Sequence, residues 1–307
     1  MSIKIITWNV NGIRSRVFND RSSTKIKKDS NIIPEDNSSM MNLLKYNADI
    51  ICLQETRIDS IDSNNINLNK QYYKYFNSSK LDGARGPNRY SGTAVYTKII
   101  PNKIQYSIEG YDIEDGRIII LYFDKFIVIN VYTPNSGTNF ENRLIWQEAF
   151  LKFLNNLQDK LIIFCGDMNV AYRPDDIHFN YKNSSTFKKN TDGIVGYLPE
   201  ERDFISKLLK LNYKDSYLEV NKCLYKDPID FKGFTWWDPR SKKINNEETG
   251  IDIGIMRYKN IGWRIDYIFI KGDIKLLDSK VLKNIGEEYS PQGSDHAPLL
   301  TEFLIIN

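Results

Sequence analysis

Apolar residues in this chain come in short continuous runs, each closed by polar or turn-forming residues. Residues 3–8 (IKIITW) form a β-rich run ending in the polar turn Asn9-Val10-Asn11-Gly12. Residues 48–53 (ADIICL) and 160–165 (KLIIFC) are apolar on both faces, which predicts interior strands covered by a helix on one side and a second sheet on the other. The first ends in Gln54-Glu55 and the second in Gly166-Asp167, so each carries an acid at its C-terminal end. Further strands are expected over 92–98, 117–123, 126–132, 263–270 and 298–305.

Helical spacing over 140–157 aligns Leu144, Ala149, Phe153, Leu154 and Leu157, and predicts a long amphipathic helix. Pro199 opens a second helix at its first-turn position, with Phe204, Ile205, Leu208 and Leu209 facing inward. A shorter helix should follow Ser38 or Ser39 as cap, with Met40, Leu43 and Leu44 on its apolar side. Residues 19–38 are polar and without period, and read as a surface insertion; Lys25, Lys27 and Lys28 within it are solvated loop charges within reach of a phosphate backbone. The fold class expected is α/β, with strands and helices mixed throughout, two sheets face to face and helices outside. No linker divides the chain, which reads as one domain over residues 1–307.

Composition changes this picture by exclusion. With 41% hydrophobic and 26% charged residues, the chain is neither disordered nor fibrous. The 3 cysteines are too few and too scattered for a disulfide framework or a paired-cysteine zinc site, and Cys52 and Cys165 in apolar runs read as buried reduced thiols. Only 2 histidines exist, His178 and His296, so no imidazole cluster is available. The lack of a membrane-length apolar run and a strand-like N-terminus predict an intracellular protein, in the nucleus or wherever its substrate resides, with no membrane partner. A net charge of +3 permits a nucleic-acid partner without arguing for one.

Five polar clusters stand at strand ends or adjacent turns: Asn9 with Asn11, Glu55, Asp167 with Asn169, Asp266, and Asp295-His296. Taken singly each is an ordinary turn residue, because Asp and Asn favour turns. Taken together they converge if the strands align, since open sheets gather ligands at the carboxyl edge. Convergent carboxylates and amides suit a hard divalent cation, Mg²⁺ or Mn²⁺, and metal-assisted attack of water on a phosphodiester is the chemistry that needs them.

Seven strings occur in order: TWNVNGIRS (7–15), LQETR (53–57), RYSGTAVYT (89–97), NVYTPNSG (130–137), CGDMNVA (165–171), NIGWRIDYIFI (260–270) and GSDHAPL (293–299). The set resembles the exonuclease III/apurinic-apyrimidinic endonuclease family, within the endonuclease–exonuclease–phosphatase superfamily, over nearly the whole chain. WRIDY with YTPNSG and GDMNVA is closest to the DNA-repair branch.

The resemblance implies a four-layer α/β/β/α sandwich and a Mg²⁺-dependent hydrolase that nicks duplex DNA 5′ to an abasic site, acts as a monomer, and trims 3′ ends with the same site. It implies Glu55 as principal metal ligand, assisted by Asn9 and Asp295, with Asn11, Asp167, Asn169 and His296 near the metal. Asp167 would orient or deprotonate water, Asn169 would hold that water, and Tyr132 and Asn135 would contact the scissile phosphate. His296 would bind a phosphoryl oxygen, with Asp266 fixing its tautomer. Arg14, Arg57 and Tyr90 would grip the backbone, and Asp176 would be a supporting acid at the DNA surface. Trp236, Trp263 and Ile265 would line a pocket for a base-free deoxyribose, core packing being the alternative for both tryptophans, as it is for Trp8, Trp146 and Trp237. Strand-edge packing is the alternative for Tyr90 and Tyr132. His178 is expected on a surface loop.

Departures from the family pattern are Asn11, where an acid is common, the long insertion at 19–38, and an extended loop at 238–257 that offers Arg240 and Arg257 as phosphate contacts. Lys80, Arg85 and Arg89 make a basic loop before Tyr90. Two other readings compete: a superfamily phosphodiesterase acting on phosphoinositide, sphingomyelin or RNA 3′ ends, and a DNA-binding module that has lost catalysis. The second requires a missing catalytic residue, and none is missing.

Overall fold

The computed structural model describes residues 1–18, 31–36, 38–83, 86–137, 139–157, 161–182, 193–222, 233–241, 243–246, 251–283 and 294–306. Most of the expected insertion, including Lys25, Lys27 and Lys28, lies outside the described residues, as do Arg85 and part of the 238–257 loop.

Strands β1 (Ser2–Asn9), β2 (Ile50–Gln54), β3 (Tyr73–Asn77), β4 (Thr93–Thr97), β13 (Ile274–Val281) and β14 (Leu299–Ile305) form one six-stranded sheet in the order β13-β14-β1-β2-β4-β3. The second contains β5 (Lys103–Gln105), β6 (Ile118–Tyr122), β7 (Ile127–Tyr132), β8 (Ile162–Asp167), β9 (Lys214–Asp215) and β12 (Asp266–Lys271), ordered β5-β6-β7-β8-β12-β9. Each is mixed, because β1 runs parallel to β2 and β7 parallel to β8 while the other pairings are antiparallel.

Alternation within the doubly apolar strands builds the layers. Ile5, Ile50, Cys52, Val128, Ile163, Cys165 and Ile268 pack between the two sheets. Their neighbours turn outward: Ile6, Trp8, Ile51 and Leu53 meet the helix α2 (Ser39–Leu44), whose cap is the Ser38 hydroxyl. Ile129, Phe164 and Phe269 meet α4 (Phe140–Asn156) and α6 (Pro199–Lys210) on the far side of the other sheet. A side-chain period of two places alternate residues of one strand in two cores. The result is the expected helix–sheet–sheet–helix stack, with shorter helices α1 (Arg14–Val17), α3 (Ser60–Ser63), α5 (Phe179–Lys182), α7 (Ser216–Val220) and α8 (Ile255–Tyr258) at its margins.

Three local expectations are corrected. On α4 the buried face is Arg143, Trp146, Gln147, Ala149, Phe150 and Leu154, while Leu144 is 37% exposed. Buried Arg143 donates to Gln147 and to the Pro134 carbonyl, a pairing that an apolar stripe does not reveal. The segment expected as a plain loop at 238–257 holds an antiparallel ribbon of β10 (Lys243–Asn246) and β11 (Ile251–Gly254), followed by α8. His178 is buried rather than on the surface, with its ring against Phe179 and Phe234. No helix among the described residues is long and apolar enough to cross a membrane.

Candidate active site

Strand direction delivers the polar clusters to one edge. Parallel pairing sets Asn9 beside Gln54, so Glu55 follows at the end of β2, and it sets Tyr132 beside Asp167. β12 runs antiparallel to β8 and begins with Asp266 opposite Asp167. β14 runs antiparallel to β1 and begins opposite Thr7, which brings Asp295 and His296 to the same edge. Gly166 lets the sheet close here, because a Cβ would stand 1.8 Å from the Val131 carbonyl oxygen. Asn11, Glu55, Arg57 and Asn169 all have positive φ (45°, 50°, 49° and 49°). For Glu55 and Arg57 that is an uncommon backbone, held only where surrounding bonds over-determine it.

The sheets are bolted together just beneath these side chains. The Gln54 amide donates to Thr7 Oγ1 at 2.9 Å and to Asn130 Oδ1 at 2.7 Å, and Asn130 Nδ2 donates across to the Leu53 and Ala94 carbonyls. Neither residue was assigned a role from sequence; both sit inside conspicuous strings, as polar residues in otherwise apolar strands.

The side chains converge. Asn9 Nδ2 donates to Asp167 Oδ2 at 2.9 Å and to Glu55 Oε1 at 3.1 Å, and the Tyr132 hydroxyl donates to the same Glu55 oxygen at 2.6 Å. Arg57 pairs with the other oxygen, Oε2. His296 Nδ1 lies 2.8 Å from Asp266 Oδ2, and its Nε2 faces Asp167 Oδ2 across 3.8 Å. Asn169 donates its backbone N–H to Asp167 Oδ1 and its side chain to the Thr133 carbonyl, and accepts from Asn135 Nδ2 at 3.2 Å. Asp295 accepts from Asn11 Nδ2 at 2.8 Å and Trp236 Nε1 at 3.1 Å. Thr235 Oγ1 accepts the backbone N–H groups of Ile265 and Asp266 and so fixes the start of β12.

Charge in this cleft is unbalanced toward the negative. Burial drives the Asp167 carboxyl up to about 7, with the like charge of Asp266 adding to the rise against the pull of His296. Burial disfavours charge on His296, yet Asp266 and Asp167 outweigh it and raise the imidazole to about 10. Burial also works against Asp295, but the His296 charge and the bonds from Asn11 and Trp236 hold it below the usual range. Tyr132 is pushed well up by burial and by Glu55, so it stays a hydroxyl donor.

A cavity of about 610 Å³ opens from these groups, and Trp236, Trp263 and Ile265 form part of its wall. The two tryptophans meet edge to face at 6.1 Å, whereas Trp8, Trp146 and Trp237 are core rings. Tyr90, 37% exposed, bonds Arg117, whose guanidinium also lies 4.8 Å from the Tyr132 ring centroid. Arg117 is a further contributor that sequence reading missed. Arg14 and Arg89 pair with Asp59 and Asp62, and Arg240 pairs with Asp238 at the cavity rim.

Two expected DNA contacts stand elsewhere. Asp176 is not at a surface: it is 0% exposed and takes a two-pronged pair from Arg264 at 2.8 and 3.2 Å, the same guanidinium reaching Asp215 at 2.6 Å. Arg257 turns inward, donating to the Ser294 and Lys283 carbonyls and stacking on Trp237 at 4.8 Å. It braces the segment that carries Asp295 and His296.

A family model described as the endonuclease/exonuclease/phosphatase family matches residues 6–296. The chain belongs to that family. Among relatives, it is 32% identical to an exodeoxyribonuclease of Bacillus subtilis, over 99% of this chain and 100% of that protein. It is also 32% identical to a DNA-(apurinic or apyrimidinic site) endonuclease of Dictyostelium discoideum, over 97% of this chain and 69% of that one. The fold agrees with the structure of an AP endonuclease from Archaeoglobus fulgidus (TM-score 0.68, 23% identity, 97% and 98% coverage).

The donor set of this family member fits a hard cation. Asp167, Asp266 and His296 offer ligand atoms within 4.8 Å of one another. Asp266 Oδ1 is buried with no hydrogen-bond partner among the described residues. Glu55, Asp167, Asp266 and Asp295 outnumber the charges of His296 and Arg57, an excess that a divalent ion would neutralise.

Proposed function

We propose that this chain is a DNA-repair AP endonuclease, which hydrolyses the phosphodiester 5′ to an abasic site in duplex DNA and trims 3′ ends with the same groups. One observation carries the reading: Glu55, Asp167 and His296 share a single cleft with the aromatic-walled cavity. The names of the relatives support DNA as substrate. Oxygen ligands favour Mg²⁺, with Mn²⁺ as a substitute. Glu55, Asn9 and Asp295 would hold it, with Asn11 steering Asp295.

When bound, the cation supplies charge stabilisation to the phosphoryl oxygens. The chain's own groups do the rest. Ionised Asp167, oriented by Asn9 and the Asn169 amide, takes a proton from the attacking water. The water oxygen bonds to phosphorus, the bond from phosphorus to the 3′ oxygen breaks, and that oxygen takes a proton from solvent, leaving a 3′-hydroxyl and a 5′-deoxyribose phosphate. Protonated His296, held by Asp266, donates Nε2–H to a phosphoryl oxygen, where developing charge rewards a fixed donor. Tyr132 and Asn135 contact the scissile phosphate from the rim. Trp236, Trp263 and Ile265 receive a sugar without a base, whose extrusion costs less than that of a stacked nucleotide.

Comparing cleavage of a labelled abasic duplex, poly(A) and a phosphoinositide tests this assignment. Preference for the abasic duplex is expected; faster turnover of poly(A) or the lipid would overturn it.

A further inference from the structure

Glu55, the principal ligand in the proposed function, already carries three partners. Its Oε1 accepts from Tyr132 and Asn9, and its Oε2 is held by Arg57. A cation reaching this carboxylate comes up against one of those partners. Asn9 is fully buried at the end of β1 and shared with Asp167, and Tyr132 is braced by Arg117. Arg57 differs: its side chain is 30% exposed, and among the described residues the guanidinium bonds only Glu55.

The backbone fixes this pairing. Glu55 and Arg57 both sit at positive φ in a turn whose amides are tied down, Thr56 N–H to the Gly92 carbonyl and Arg57 N–H to the Ser91 carbonyl. Gly92 is needed there, because at φ 88° a Cβ would stand 2.5 Å from Thr56 Oγ1. The turn thus presents an acid and a base two residues apart on the same rim, at a conformational cost the fold sustains.

We propose that Arg57 is a built-in counter-cation for the metal ligand Glu55, displaced when a divalent ion binds and thereby released to the substrate phosphate. This rests on the reading above that Glu55 holds the ion. A guanidinium and a divalent ion repel each other at one carboxylate. A guanidinium matches phosphate with a two-pronged fork. Arg57 therefore lowers metal affinity, and couples metal loading to backbone grip.

The test uses Mn²⁺ alone on the full chain, by calorimetry, followed by duplex binding. Arg57→Gln should tighten the Mn²⁺ Kd by roughly five- to tenfold, the scale of losing one partly exposed competing charge. Arg57→Lys, which keeps the charge, should stay near wild type, and Glu55→Gln should weaken Mn²⁺ binding sharply. In an Asp167→Asn background, Arg57→Gln should reduce the salt slope of duplex binding by about one in Mn²⁺ and leave it unchanged in EDTA. Unaltered or weaker Mn²⁺ binding by Arg57→Gln, with Glu55→Gln still damaging, would overturn the proposal and spare the functional reading. Mn²⁺ affinity indifferent to both variants would overturn the two together. Melting curves confirm that each variant is folded.

Discussion

Asp266 Oδ2 lies 2.8 Å from His296 Nδ1, and this bond turns Nε2 of the ring toward Asp167. The aspartate does two jobs through one contact: it keeps the imidazole protonated, and by like charge it helps to raise Asp167. Asp266→Asn should therefore lower kcat by about 100-fold or more, the usual worth of a positioned proton donor. It should also move the acid limb of the kcat/KM profile to lower pH, because Asp167 loses a neighbouring negative charge. A pH–rate series checks both; an unmoved acid limb would count against the coupling.

Asp167→Asn separates activity from stability. Nicking should fall by about 10²–10⁴-fold with the general base gone. Stability should not fall with it. The folded Asp167 is raised from 3.8 to about 7, so its contribution is present below pH 3.8 and lost as pH climbs to 7. His296, raised from 6.5 to about 10, contributes fully below pH 6.5 and loses that contribution as pH climbs to 10. Metal-free wild type should therefore soften steadily from acid to base, whereas the Asn variant should keep only the upper part of the decline. Thermal melts in EDTA across that range read the difference.

Trp263→Leu tests the cavity. The substitution keeps an apolar side chain but removes the ring that meets Trp236. Loss of shape in such a pocket changes discrimination by roughly 10–200-fold. The kcat/KM for an abasic duplex should drop while trimming of an ordinary 3′ end changes little; parallel kinetics on the two substrates decide.

Asp176→Ala should unfold the protein more readily without touching DNA binding. It would remove one of the two buried carboxylates that Arg264 pairs with among the described residues, and breaking a buried pair costs about 3–5 kcal/mol. Urea titration measures the loss, and the salt slope of duplex binding should stay where it was.

Much of this was legible in the sequence because strand alternation is a strong code. The doubly apolar runs around Ile51 and Phe164 announced a sheet with a core on each face, and their terminal acids announced an edge. The residues assigned to the cleft meet because β1 and β2, and β7 and β8, run parallel to one edge, where antiparallel β12 and β14 begin. What stayed hidden was polarity turned inward. Arg264 and Asp176 look like surface residues until they meet across 88 residues of chain, and Arg143 until the nearby Pro134 carbonyl is turned toward it. Leu144 looks like core until Trp146 and Phe150 take the inner face. Gln54 and Asn130 gain their role only when the two sheets stack. The inward turn of Arg257 likewise depends on a segment 37 residues away.

Cleavage of an end-labelled duplex with one abasic site, with Mg²⁺ and then with EDTA, puts the central claim to its most direct trial. The convergence of Glu55, Asp167 and His296 predicts a single nick 5′ to the lesion, bearing a 3′-hydroxyl, that vanishes in EDTA and returns when Mg²⁺ is restored. An intact strand in Mg²⁺, or a nick that persists undiminished in EDTA, would contradict it.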